Sequence, residues 1–494
     1  MATLAEARIT STQSALFING ELRDAAGGAT YDNISPWTGE AIGTAANASA
    51  QDVSDAIGAA RRSFDTTDWS TNHTKRLGLL KTLHGLFSAD AERLVQIARD
   101  ETGSTIFIAR YVQIQQALSG FQDLLDAFEK IEWTQDRGKR GPDGRVSHRI
   151  IMREAAGVVG AITPFNVPFY VNIEKVASAL LAGCTVVLKP APDTPRLGAI
   201  WGEYAIRAGF PAGVLNIVTG SDPALGEALV VDPRVDVITF TGSSAVGKRI
   251  MEKGAATLKR VLLELGGKSA KIILDDVGDF AREVAASVIT GHSGQGCTTR
   301  SRLLVPKSRH DEAVEILKAT YAAYDGKWGI YDDPQDAMGP VISERQMRRI
   351  KADIDRAVAD GATLIAGGNV RRTSGGFFVE PTCFVDVGND MRIAREEVFG
   401  PVLAVIPYED EDDAVRIAND SEYGLSGEIA SSDVERAVKL ASRFRSGTVS
   451  INGGRAVDGD LPFGGYKSSG LGRAWGVEGI EEYTETKVVA YRVA

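Results

Sequence analysis

The chain has 494 residues, 44% hydrophobic and 24% charged, a globular balance that excludes a disordered or fibrous chain and allows several domains. Against 55 Lys+Arg stand 65 Asp+Glu, a net charge of −10, which repels a nucleic-acid backbone. The three cysteines, Cys184, Cys297 and Cys383, are too far apart for a disulfide framework or a metal site of paired cysteines, so no metal and a reducing cytoplasm are expected.

Residues 1–10 include Glu6 and Arg8 and lack the apolar centre of a secretory signal. Leu16-Phe17-Ile18-Asn19-Gly20 reads as a strand and turn, and 50–64 and 75–131 carry helical periodicity. Residues 135–144 are charged and contain glycine, and 145–153 alternate apolar positions, which predicts a projecting hairpin. From residue 157, β-branched runs at 158–162, 185–188, 214–218, 235–240 and 261–265 alternate with helix-length segments such as 196–207 and 245–256. That repeat predicts parallel strands joined by crossover helices, with ligands at the carboxyl ends of the strands. The longest mainly apolar run, 176–188, is interrupted by Ser178 and Thr185 and is too short to cross a membrane. After Gly267 a second series begins, with candidate strands at 302–305, 363–366, 402–407 and 448–452.

Gly242-Ser243-Ser244-Ala245-Val246-Gly247-Lys248 follows the 235–240 run and nearly matches a P-loop. Arg249 stands where that motif needs a magnesium-holding hydroxyl, and no clear Walker B aspartate accompanies it, which argues against nucleotide hydrolysis. Alone, Gly242 and Gly247 read as glycines of a tight strand-to-helix turn. Free N–H groups at a helix start still receive a diphosphate, so a dinucleotide fits as well as ATP. The usual GxGxxG fingerprint is missing, so a different cofactor mode is required.

Cys297 lies in Gly294-Gln295-Gly296-Cys297-Thr298-Thr299, where glycines let a ligand approach the backbone and leave the thiol uncrowded. It is the candidate nucleophile, whereas Cys184 and Cys383 sit in apolar, strand-like surroundings and read as core. Leu263-Glu264-Leu265-Gly266-Gly267-Lys268 sets a carboxylate among leucines at a strand end. Partial burial there raises its pKa towards that of a useful base; a salt bridge to a neighbouring lysine is the alternative. Thr163-Pro164-Phe165-Asn166-Val167-Pro168 places an amide just after the first β-branched run, suited to an oxyanion or to a plain turn.

These three motifs occur together with Leu188-Lys189-Pro190, Phe240-Thr241-Gly242-Ser243, Glu397-Val398-Phe399-Gly400-Pro401 and Pro462-Phe463-Gly464-Gly465-Tyr466-Lys467. In order and spacing the seven resemble the aldehyde dehydrogenase superfamily, from Phe17 to Tyr483-Thr484-Glu485-Thr486-Lys487. The resemblance implies an α/β fold of two Rossmann-like domains with mainly parallel sheets plus a small β oligomerisation arm. The division expected is 1–134 with 156–266 for NAD(P) binding, 267–479 for catalysis, and 135–155 with 480–494 for the arm.

It further implies NAD(P)-dependent oxidation of an aldehyde to a carboxylic acid. Cys297 would attack as a thiolate, and the Asn166 amide and the Cys297 N–H would hold the thiohemiacetal oxyanion. Glu264 would activate the water that hydrolyses the thioester, which argues against an acylating member that passes it to coenzyme A. Retention of Cys297, Glu264 and Asn166 together argues against a catalytically silent scaffold.

Towards the cofactor the resemblance places Lys189 and Glu397 on the two riboses, Ser243 near the diphosphate, and Gly242 and Val246 on the adenosine side. Phe399 belongs to the nicotinamide ribose, with Thr163, Pro164 and Phe165 along the same ligand, and Lys268 is given no direct role. Phe165, Thr298, Arg455, Val457 and Phe463 are expected in the substrate pocket, Arg455 as a carboxylate anchor or a solvent-facing loop residue. Many NAD-preferring members carry Glu three residues after the ribose lysine; here Pro192 stands there, followed by Asp193. NAD is expected, with NADP left open. Segments 145–153 and 487–493 are expected to pair between subunits of a homodimer or homotetramer.

Overall fold

A computed structural model describes residues 13–142, 145–331, 333–372 and 375–493; the segment read above for a secretory signal lies outside the described residues. An eight-stranded sheet runs in the order Gly470–Leu471, Arg260–Glu264, Val237–Thr241, Val158–Ile162, Thr185–Lys189, Leu215–Ile217, Leu16–Ile18, Glu21–Arg23. From Arg260–Glu264 to Leu215–Ile217 the strands are parallel, as the βα repeat predicts. Strand order reverses beside Val158–Ile162, which opens a crevice at the carboxyl ends.

Central parallel strands are covered on both faces and therefore read as unbroken β-branched runs. Val158, Val187 and Ile238 pack with Val53, Leu229 and Ile250 on one face; Val159, Val186 and Leu188 pack with Leu83, Phe121 and Trp201 on the other. That division follows from the alternation of side chains along a strand.

The second sheet has seven strands in the order Thr363–Ala366, Thr382–Val385, Val402–Tyr408, Arg302–Pro306, Ala270–Ile273, Gly427–Ala430, Ser450–Ile451. All of its pairings are parallel except Thr363–Ala366 with Thr382–Val385. Between the sheets the chain crosses at Leu265–Ser269, so Glu264 ends the last parallel strand of the first sheet. The chain later returns to that sheet: Gly470 pairs with Glu264 and Leu471 with Leu263.

The single periodic stretch at 75–131 resolves into His73–Ala89, Ala91–Thr102, a π-helical segment Ile108–Gln115 and Gln116–Glu129. Gly103, left-handed at φ 75°, ends the second of these. The hairpin forms as Thr134–Arg140 and Ser147–Ala155, and Thr484–Arg492 adds a third antiparallel strand. Here the reading of subunit pairing is corrected: Thr484 meets Ala155 and Arg492 meets Ser147 within one chain. A tail that emerges beside the hairpin closes on it locally, because no loop to a second molecule has to be ordered. No helix among the described residues is long and apolar enough to cross a membrane.

Candidate active site

Asn166, Lys189, Ser243 and Glu264 stand at or just beyond the carboxyl ends of parallel strands, whereas Cys297 and Glu397 lie in loops that lead into Arg302–Pro306 and Val402–Tyr408. Lys189 ends Thr185–Lys189, and its ammonium reaches the carbonyls of Pro190 (3.3 Å) and Gly220 (3.4 Å). Burial lowers its pKa to about 8, against the attraction of Asp193 and Asp222. It lines a cavity of about 470 Å³ with Ile162, Gly226, Phe240, Val246 and Ile250. After Val237–Thr241 and Gly242, Ser243 caps helix Ser244–Gly254 by accepting from the Val246 N–H. On the other side of this helix start, Ser243, Ser244, Arg349, Glu397 and Tyr423 line a second cavity of about 430 Å³. Lys248, the lysine of the apparent P-loop, is 67% exposed and lies 3.8 Å from Glu422, so its charge serves the surface.

In the second cavity the Gly267 N–H donates to Glu397 Oε1 at 3.0 Å, and burial raises Glu397 to about 6. Phe399 adopts φ 56°, and its ring meets that of Phe165 edge-on at 5.8 Å. Thr163 Oγ1, at the end of the central strand, is buried without a partner. A buried hydroxyl of this kind is satisfied by an ordered water or a bound ligand. With an apolar slot beside an ammonium, a helix start, and a glutamate beyond it, these residues fit a nicotinamide dinucleotide laid across the crevice.

Cys297 is free and partly buried. Its loop fits tightly: a side-chain carbon on Gly267 would stand 2.5 Å from the Cys297 carbonyl, and Gly294, at φ 71°, has no room for one against Gly400. The Cys297 thiol is electrostatically coupled to the Glu264 carboxyl, and its pKa is raised well above the ordinary thiol value, chiefly by burial and then by Glu264. Glu264 is 6% exposed, with Oε1 unpartnered. Burial, then the charge of Glu174, raise it to about 7, opposed by Lys175. No ion pair to Lys268 forms among the described residues, so burial rather than the alternative salt bridge sets its state.

Asn166 is buried beside this pair: its Nδ2 donates to the Gln295 carbonyl at 2.9 Å, and its own carbonyl accepts from Gln113 Nε2 at 2.7 Å. Val457 and Tyr170 pack in the same cluster as Cys297 and Phe463. Thr298, next in the chain, is partly buried. Arg455 is 60% exposed and bound to Asp458 at 2.7 Å, in a loop where Asp458 and Asp460 help burial raise the pKa of Asp123.

Sequence reasoning missed Gln113 and the ion pair of Glu174 with Lys175, whose side chains are each 4% exposed and 3.0 Å apart. Their one signal was polarity inside otherwise apolar helical stretches. Both lie in π-helical segments, Ile108–Gln115 and Ile173–Ala177, a geometry often found at functional sites.

A nucleotide crevice that runs down to a coupled thiol and carboxyl is the layout of an oxidoreductase working through a sulfur adduct. The aldehyde dehydrogenase family profile matches residues 23–489. An aldehyde dehydrogenase of Mycobacterium tuberculosis, complexed with NAD+, is 40% identical with a TM-score of 0.91, covering 97% of this chain and 98% of its own. A cysteine-to-alanine variant of aldehyde dehydrogenase C from Pseudomonas syringae, complexed with NAD+ and octanal, is 36% identical with a TM-score of 0.89, covering 97% and 96%. The NAD+ complex of a Bacillus cereus aldehyde dehydrogenase is 33% identical with a TM-score of 0.93, covering 100% and 99%. The chain belongs to the aldehyde dehydrogenase family.

Proposed function

We propose that this aldehyde dehydrogenase converts an aldehyde to its carboxylic acid in two half-reactions at Cys297, with NAD as the preferred acceptor. The coupling of Cys297 with Glu264 carries the reading: a thiol that burial keeps protonated stands beside a carboxyl whose pKa, about 7, lets it take that proton near neutrality. As Glu264 removes it, Sγ bonds to the carbonyl carbon. The oxyanion that results is held by the Cys297 N–H and by the Asn166 amide, which has a second hydrogen beyond the one given to Gln295.

A nicotinamide bound in this crevice would supply the two-electron acceptor that turns thiohemiacetal into thioester. Lys189 and Glu397 hold its riboses, Ser243 and the helix start its diphosphate, and Gly242 and Val246 the adenosine side. Thr163, Pro164, Phe165 and Phe399 border the reactive end. Support for NAD comes from the NAD+ complexes of the relatives and from the carboxylates Asp193 and Asp222 beside Lys189, which disfavour a 2′-phosphate. Once Glu264 has released the thiol proton to solvent it takes a proton from water, hydroxide attacks the thioester carbon, and the tetrahedral adduct expels the thiolate as the acid departs.

The substrate enters past Phe165, Thr298, Arg455, Val457 and Phe463. Because Asp458 holds the Arg455 guanidinium, a neutral aldehyde fits this funnel better than a carboxylated one. Cofactor binding falls to 1–134 with 156–266, catalysis to 267–479, and association into a homodimer or homotetramer to the arm of 135–155 with 480–494, whose outer strands present Val488 and Tyr491. Three unpaired cysteines suit a reducing cytoplasm.

Turnover of neutral aldehydes with NAD, with and without coenzyme A, tests the reaction. Free acid at an unchanged rate is expected. Accumulation of acyl-coenzyme A would overturn the hydrolytic step, and activity retained by Cys297→Ala would overturn the nucleophile.

A further inference from the structure

We infer that Gln113 is a positioning residue for the oxyanion site, acting through the main chain of Asn166. The inference rests on the reading of Asn166 as oxyanion donor. Gln113 is fully buried, and the π-helical turn around it turns its amide inward from a helix whose neighbouring positions pack as core. Its Nε2 has two hydrogens and both are used: one goes to the Asn166 carbonyl at 2.7 Å and the other to Ser104 Oγ at 3.2 Å.

The hydroxyls behind it fix that orientation. Thr102 Oγ1 donates to the Ala98 carbonyl at 2.6 Å, so in its 2.7 Å contact with Ser104 Oγ the serine is the donor. Ser104 therefore has only lone pairs left for Gln113 and for His292 Nδ1, 3.3 Å away. This hydrogen count puts a proton on His292 Nδ1, and burial, which lowers its pKa to about 4, keeps the ring neutral. His292 and Ser293 both hold left-handed backbone, φ 47° and 54°, a strained arrangement for two consecutive residues with side chains. Ser293 is tied down by its hydroxyl, which donates to the Gly339 carbonyl at 2.6 Å.

The strained turn leads directly to Gln295, whose carbonyl receives the Asn166 amide. Asn166 is thus clamped twice, at its main chain by Gln113 and at its side chain by the cysteine loop, and the network that ends on Gln113 also braces that loop. Two anchors from different parts of the chain determine where the second amide hydrogen points. Release of the main-chain anchor frees the peptide between Pro164 and Pro168 to rotate and spoils the aim of a donor whose value depends on placement.

A double-mutant cycle tests this. Gln113→Met keeps the length and loses both donors. It is expected to lower kcat about tenfold, while KM for NAD moves less than about twofold. In an Asn166→Ala background, which by itself costs on the order of 10²-fold, the same change should cost less than about twofold more. An equal loss in both backgrounds would show that Gln113 acts independently of Asn166 and would overturn the inference. If Asn166→Ala costs less than about threefold, the oxyanion assignment itself fails, a distinct result. Should Gln113→Met fold poorly, Ser104→Ala, which removes the acceptor that orients the Gln113 amide together with the serine contacts to Thr102 and His292, should show a smaller kcat loss that vanishes in the Asn166→Ala background; persistence of that loss would equally overturn the inference.

Discussion

Replacing Glu264 by glutamine separates the two half-reactions and has a magnitude that follows from the site. Burial and Glu174 raise the Glu264 pKa from 4.5 to about 7, so about a tenth of the enzyme carries the ionised base at pH 6 and about nine tenths at pH 8. If deacylation limits turnover, kcat of the native enzyme rises about tenfold across that range. In Glu264→Gln the rise disappears and steady-state turnover falls by about 10²- to 10⁴-fold, the scale of one general base. An initial burst of reduced nicotinamide remains if water or hydroxide can still take the thiol proton. Stopped-flow absorbance gives burst and steady state in one trace.

The same substitution has a stability signature of opposite sign. A carboxyl whose folded pKa lies above its unfolded one loses stability as pH rises from 4.5 to about 7, here about 3 kcal/mol. Glutamine never ionises, so the variant should unfold at higher temperature than the native enzyme at pH 8, with a smaller gap at pH 5. A kcat limb that persists unchanged in the variant would refute the assignment of Glu264 as base, and a variant less stable at pH 8 would refute the burial argument.

Asp193→Ser should raise kcat/KM for NADP at least about tenfold relative to NAD, because a carboxylate near Lys189 no longer repels the 2′-phosphate; steady-state kinetics with both cofactors checks it. Arg455→Ala should leave kcat/KM for neutral aldehydes within about twofold, since the guanidinium is exposed and engaged by Asp458, and a selective rise in KM for carboxylated aldehydes would restore Arg455 as their anchor. Glu101 is fully buried and accepts from the N–H groups of Arg196 and Leu197 at the start of helix Pro195–Ala208 and from Asn33 Nδ2. Glu101→Ala should therefore cost about 2 to 4 kcal/mol, seen as a lowered unfolding temperature.

Much of the first sheet was legible because strands buried on both faces need apolar, β-branched residues at every position. Runs such as 185–188 announce themselves in that way. Ala270–Ile273 and Gly427–Ala430 were missed: each is four residues long, and small residues at their ends blur the pattern that longer neighbours show. The 75–131 stretch reads from its periodicity without its internal breaks, which fall at Asp90 and Gly103, while the π-helical segment Ile108–Gln115 runs directly into Gln116–Glu129.

By itself the sequence determined the chemical parts: a thiol in a glycine-flanked loop, a glutamate at a strand end, an amide after the first parallel strand, and the order that marks the family. Those signals are local, since each depends on which residues lie within a few positions of one another. Only the tertiary structure decided that Glu264 is coupled to Cys297 in a buried setting, that Gln113 holds Asn166 from 53 residues away, that Asp458 engages Arg455, and that the tail closes on its own hairpin. Burial, charge coupling and hydrogen-bond partners arise from segments that meet in space, and no window along a single chain contains both sides of such a contact.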